Sequence, residues 1–275
     1  MRITSCLFLI ILFIGKTLEA KEADFFTGKV KSFHSKTVEG VDKVIYVFDI
    51  PIYGADHISN KKMIHAANIM AQYLDNDEDG IVDDMSVWQS LKKNHASLIM
   101  WSKMKDIRRF DSPFLEHSQD LGEDETSILW HDDRTERFDA SLEEILHLIT
   151  SQGYAFAYPD VFGEMPGSLL TEAMDMARGG CFKRVPSKYP LKAWFTYDDR
   201  TCGYECMATE YLYWGLTSWL GAQENRGEEI VHEWKLNTRH KMKETDQLLM
   251  RILTNPKFHI PQKLPNGRYT PRTSD

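Results

Sequence analysis

Apolar residues recur at helical spacing over most of this chain and run together in only a few short stretches. After Ser59-Asn60, a capping pair, Met63, Ala67, Met70 and Leu74 fall on one helical face. Met85, Trp88, Leu91 and Lys92 repeat the same period. Leu142 to Ile149 predicts a helix, with Ser141 as N-cap and Glu144 at the capping-box position. Further helices are expected over Pro166 to Arg178, Met207 to Ala222, Glu228 to Asn237 and Lys243 to Thr254. The Met207 helix is apolar on nearly every side through Tyr211, Tyr213, Trp214, Leu216, Trp219 and Leu220, so it should be buried. Strand signals are fewer. Val44 to Gly54 is β-branched and aromatic and predicts one buried strand ending at Pro51, and Ala96 to Trp101 predicts another. Tyr189 to Tyr197 predicts a strand or an extended crossing, Arg108 to Arg137 a loop-rich excursion, residues 21–44 an entry strand or an ordered arm and Pro261 to Thr270 an extended tail. The pattern therefore predicts a helix-rich α+β fold, a single domain over residues 21–275 with a small β-sheet near its front.

The first twenty residues follow a different pattern. Arg2 precedes the apolar run Cys6 to Ile14, and Ala20 suits a cleavage site, which predicts a secretory signal peptide over residues 1–20 and an extracellular destination. That apolar run is too short to span a bilayer comfortably, so no membrane association is expected once it is removed. The net charge is −8, and removing Arg2, Lys16 and Glu19 makes it −9. This acidity argues against nucleic acid and suits calcium, basic matrix proteins or a mineral surface. Cys181, Cys202 and Cys206 remain in the secreted part. One disulfide and one spare thiol are expected, Cys202 with Cys206 being the closer pair and Cys181 with either of them the alternative.

One stretch carries a recognisable ligand grammar. Asp75-Asn76-Asp77-Glu78-Asp79-Gly80-Ile81-Val82-Asp83-Asp84 sets carboxylates at loop positions 1, 3 and 5, a glycine at 6, a carbonyl (Ile81) at 7 and Asp83 at 9. That spacing is that of an EF-hand-like calcium loop over residues 75–86, between two predicted helices. Position 12, where an EF-hand supplies a bidentate glutamate, is Ser86, so Ca2+ binding of the weak, extracellular class is expected unless Asp84 or a distant carboxylate substitutes.

Two further groupings could carry chemistry. Glu143-Glu144-Ile145-Leu146-His147 resembles the helix motif of zincin metalloproteases with its first histidine replaced. The resemblance implies zinc held by Glu143 and His147, Glu144 as catalytic base and, as in gluzincins, a third ligand from the next helix, for which Glu172 is the candidate. It also implies a zincin-like fold and a metal-dependent hydrolase as the alternative function. Glu144 with His147 and Glu229 with His232 make two Glu-x-x-His pairs, which with Glu172 and Glu210 formally complete a di-iron bundle recipe, against which the strands and the secretory route argue. No GxSxG elbow and no phosphate-cradling glycine loop is present. The wording of His65 to Asp84, of Glu143 to Gly163 and of Thr196 to Gln223 resembles a family of secreted proteins shared by marine invertebrates and some bacteria, a likeness that implies secretion and the calcium loop but no activity. The leading expectation is a secreted acidic calcium-binding protein, its ion mainly structural, in an extracellular or skeletal organic matrix.

Overall fold

The computed structural model describes residues 29–32, 40–55, 57–103, 117–134 and 136–272. The expected signal peptide lies outside these residues. Among those described, no helix is long and apolar enough to cross a membrane. The fold is mixed α+β, as the pattern predicts.

Five strands form one sheet in chain order: β1 (Lys31–Ser32), β2 (Val41–Val47), β3 (Ile50–Ala55), β4 (Ser97–Trp101) and β5 (Ser118–Gly122). The first three pair antiparallel and the last three parallel. The single strand expected over Val44 to Gly54 is thus a hairpin. Phe48 and Asp49 both take positive φ (46° and 64°), the geometry of a two-residue primed turn, and Tyr46 faces Pro51 across it. No Asn-Gly signal marks this turn. It is held from outside, where Trp88 Nε1 donates to the Phe48 carbonyl (2.7 Å) and Lys92 Nζ pairs with Asp49 (2.5 Å).

A parallel neighbour requires a crossover. Between β3 and β4 the chain supplies helix α1 (Asn60–Leu74), the acidic loop and helix α2 (Met85–Lys93). Strand β5 is short and polar, which hid it within the expected excursion, followed by the single turn α3 (Trp130–Asp133). Helix α4 (Ser141–Ile149) lies against β5 and α1 and continues through a π-helical turn, Thr150–Tyr154, into Ala155–Ala157. Ser141 is not its cap. It is the first helical residue, buried, and donates its hydroxyl to Asp139 (2.8 Å), whose carboxyl also accepts from the Ser127 and Ser141 amides. The other Asp139 oxygen accepts from both His65 and His131 Nε2 at 2.7 Å, and these bonds hold its carboxyl well below the usual carboxylate range despite burial. Asp139 thereby ties α1, α3 and the start of α4 together.

The second half is helical: α5 (Pro159–Phe162), α6 (Leu169–Arg178), α7 (Tyr204–Leu220), α8 (Gly227–Ile230), α9 (Arg239–Thr245) and α10 (Gln247–Leu253). Ser168 and Thr171 form a capping box at α6, and α7 is buried on nearly every side as its composition requires. The helix expected over Glu228 to Asn237 stops at Ile230, so the Glu229 and His232 pair does not share a helical face. The helix expected over Lys243 to Thr254 is two. Asp246 divides them, because its carboxyl caps α10 at the Leu249 amide while accepting from Tyr211 Oη (2.6 Å) and Trp194 Nε1 (2.8 Å). The strand or extended crossing expected over Tyr189 to Tyr197 is interrupted by a turn at Leu191 and Lys192, closed where the Ala193 amide donates to the Pro190 carbonyl (2.9 Å), and one isolated bridge joins Phe195 to Trp234.

Candidate metal centres

The acidic loop lies between α1 and α2. Asp75 closes it from the inside: one oxygen accepts from the Asp79 amide (3.1 Å), the other from the Gly80 amide (2.8 Å) and from Tyr269 Oη (2.5 Å). Asp77 accepts from the Asp79 amide, Asp79 from the Ile81 amide, and Asp83 from the Asn76 amide. Glu78 and Gly80 make the turn at positive φ. Carboxylate oxygens of Asp75, Asp77 and Asp83 come within 4.8 Å of one another, in reach of a single ion. Asp79 lies exposed at the rim of this group and Ile81 is exposed beside it. Asp84 does not replace the missing position-12 ligand. One of its oxygens caps α2 at the Ser86 and Val87 amides, and the other accepts from Tyr158 Oη (2.8 Å).

Like charges crowded in partial burial leave an electrostatic mark. Burial, assisted by the charges of Asp75, Asp77 and Asp79 and opposed by the Asn76 amide, pushes the Asp83 carboxyl up to about 6. Burial also raises Asp75, against the bonds from Tyr269, Gly80 and Asp79.

A second group lies on α4. Ligand atoms of Glu143, Glu144 and His147 fall within 4.8 Å of one another. Helical spacing explains this, since His147 follows Glu143 by four residues and Glu144 by three, the two separations at which side chains on a helix meet. Glu172 lies exposed on α6, outside this group, so the ligand that the zincin likeness implies from that helix does not arrive. Glu210 of α7 stands there instead, with Oε2 3.5 Å from His147 Nε2. Three tethers hold the carboxylates. Gln119 Nε2 of β5 donates to Glu144 (2.5 Å), Tyr197 Oη donates to Glu210 (3.1 Å), and the Tyr213 hydroxyl bonds Glu143. The structure describes no bond for His147 Nε2 shorter than its approach to Glu210, and that atom is buried without a hydrogen-bond partner. Comparison with protein-family models, with curated proteins and with solved structures finds no match for this chain.

Charge reinforces the geometry of the second group. Burial drives Glu143 upward, with Glu210 and Glu144 adding and His147 opposing. Burial works against the charged form of His147, yet the carboxylates of Glu210 and Glu144 win and raise it well above its ordinary value. The gathering of Gln119, Tyr197 and Glu210 around α4 is invisible to local spacing, since all three arrive from other elements.

Two other groups contain the right residue types. His65, His131 and Asp139 are drawn together by the direct hydrogen bonds described above. Asp198, His232 and Glu233 gather at the surface, where His232 is largely exposed and Glu229 pairs with Arg226 instead. The cysteines follow the closer-pair expectation: Cys202 and Cys206 form a disulfide at the start of α7 and Cys181 is a free, exposed thiol.

Proposed function

We propose that this protein is a secreted, acidic calcium-binding protein whose ion is a structural staple, working in an extracellular or skeletal organic matrix. The observation that carries this reading is the convergence of Asp75, Asp77 and Asp83 in a loop whose amides already hold the carboxylates in place. A cation there offsets the burial of the Asp83 carboxylate and the repulsion from its neighbours, which together raise it. The ion joins α1 to α2 and, through Tyr269, to the C-terminal tail. Lacking a position-12 carboxylate, the loop belongs to the millimolar class, a range suited to permanent filling outside cells and unsuited to sensing. The disulfide suits the same oxidising compartment, and the acidic surface suits basic matrix proteins or mineral.

Calcium titration of thermal stability tests the reading. With a dissociation constant near 1 mM, 10 mM calcium adds about 1.4 kcal/mol, or roughly 3–6 °C in a chain of this size. Asp77→Ala should abolish the increment and leave the calcium-free melting temperature close to wild type, because Asp77 is exposed. An increment of the same size in the variant, or none in the wild type, refutes the proposal.

A further inference from the structure

We propose that Glu143, His147 and Glu210 form a second, buried metal site for a divalent transition ion of the zinc or manganese class, independent of the calcium loop. His147 Nε2 and Glu210 Oε2 are 3.5 Å apart, too far for a good hydrogen bond. Two ligand atoms each about 2.1 Å from a tetrahedral ion stand about 3.4 Å apart, so the gap is that of two neighbours on one coordination shell. The hydrogen-bonded group at Asp139 supplies the contrast, with both nitrogen-to-oxygen contacts closed to 2.7 Å.

The His147 side chain is 8% exposed, and its Nε2 has no hydrogen-bond partner. A buried imidazole nitrogen left this way is costly unless something binds it. Three carboxylates face one imidazole, and among the described residues the ion pairs of Glu144 and Glu210 are with His147 alone. Even with His147 protonated the cluster keeps a negative excess in a largely buried place, which a divalent ion would offset.

The surroundings are those of a supported ligand set. Tyr197 fixes Glu210 and Tyr213 fixes Glu143, the kind of outer hydrogen bonding that orients metal ligands. Glu144, held by Gln119, stands 3.8 Å from His147 Nδ1, on the ring nitrogen away from Glu210. It is a positioning residue for the imidazole. Carboxylate and imidazole donors without thiolate select an ion between calcium and the thiophilic metals. The π-helical turn that begins at Thr150, three residues beyond His147, is a local departure from α-geometry of the kind that accumulates at functional sites.

The full chain, stripped with chelator and then held in excess calcium, should bind one equivalent of Co2+ with visible d–d absorption, displaced by one equivalent of Zn2+. Glu210→Gln should weaken Co2+ binding by at least about 100-fold and Tyr197→Phe by about 10-fold. Asp77→Ala and Glu172→Gln should leave it unchanged, so the fate of the calcium reading is read separately. Should Glu210→Gln fail to fold, Tyr197→Phe decides. Absence of a stoichiometric Co2+ complex in the wild type overturns the proposal. So does an equivalent that survives Glu210→Gln or Tyr197→Phe undiminished and disappears in His232→Ala, which would assign the ion to the surface group.

Discussion

Asp83 carries a consequence for pH. In the calcium-free fold its carboxyl keeps a proton up to about pH 6, whereas an unfolded aspartate releases it near 3.9. Between those values the native state binds more protons than the unfolded one, so this residue makes stability fall as pH rises through the window. Calcium requires the ionised form and removes the slope. In chelator, therefore, the melting temperature of wild type relative to Asp83→Asn should drop between pH 4.5 and pH 7, and in saturating calcium the drop should disappear. A flat difference in chelator would show that neither burial nor the neighbouring carboxylates raise Asp83 in the fold. Gly267 is constrained just as locally. Its φ is +75°, and a Cβ there would meet Cε1 and Nδ1 of His65 at 2.2 Å. The imidazole cannot swing away, because Asp139 holds its Nε2. Gly267→Ala should cost about 1–3 kcal/mol in urea unfolding, beyond any loss at the loop.

Packing between elements decides where the sequence could be read and where it could not. Helices α1, α2, α6 and α7 were legible because each presents an apolar face or a capping signal of its own. The β2–β3 turn was not, since Phe48 and Asp49 are held in it by Trp88 and Lys92 from α2. Asp246 likewise divides α9 from α10 through bonds to Tyr211 and Trp194, partners 35 and 52 residues away. Helix α7 meets α10 where Gly215 offers no side chain, and a Cβ at that position would lie 2.2 Å from Leu249 Cδ2. Gly215→Ala should destabilise by about 1–3 kcal/mol, and Leu249→Ala, at a fully buried position, by about 2–5 kcal/mol. In the double variant the new methyl group enters the space the leucine leaves. Its loss, measured by denaturant unfolding, should be smaller than the sum of the two, and strict additivity would show that the two helices do not press on one another here.

For the molecule as a whole, the acidic loop is a local motif whose spacing was legible, although the structure gathers Asp75, Asp77 and Asp83 and leaves Asp79 outside that group, whereas the buried cluster needs α4, α7 and β5 folded together and was visible in the sequence only as the scattered residues Glu143, His147 and Glu210. The C-terminal tail belongs with the parts that sequence periodicity could not place. It runs back over the acidic loop: Asn76 accepts from the Gln262 and Lys263 amides (2.8 Å each), Gln72 accepts from those of Asn266 and Gly267 (2.9 Å each), and Arg272 donates to the Glu78 carbonyl (2.8 Å). Tyr269 is buried and completes the strap on Asp75. The disulfide, by contrast, joins cysteines only four residues apart, and the chain-entropy model gives so short a loop about 2 kcal/mol. The two fastenings should therefore respond differently when cut. Replacing both Cys202 and Cys206 by serine should lower the melting temperature modestly and leave the calcium increment intact. Ending the chain at Ile260 removes Tyr269 and every bond from the tail to the loop, so it should lower the melting temperature further and shrink the calcium increment as well. Thermal scans of the two variants with chelator and with 10 mM calcium compare them directly. A truncated chain that keeps the full increment would mean that the loop holds its ion without the tail, and that the strap serves only to cover α1.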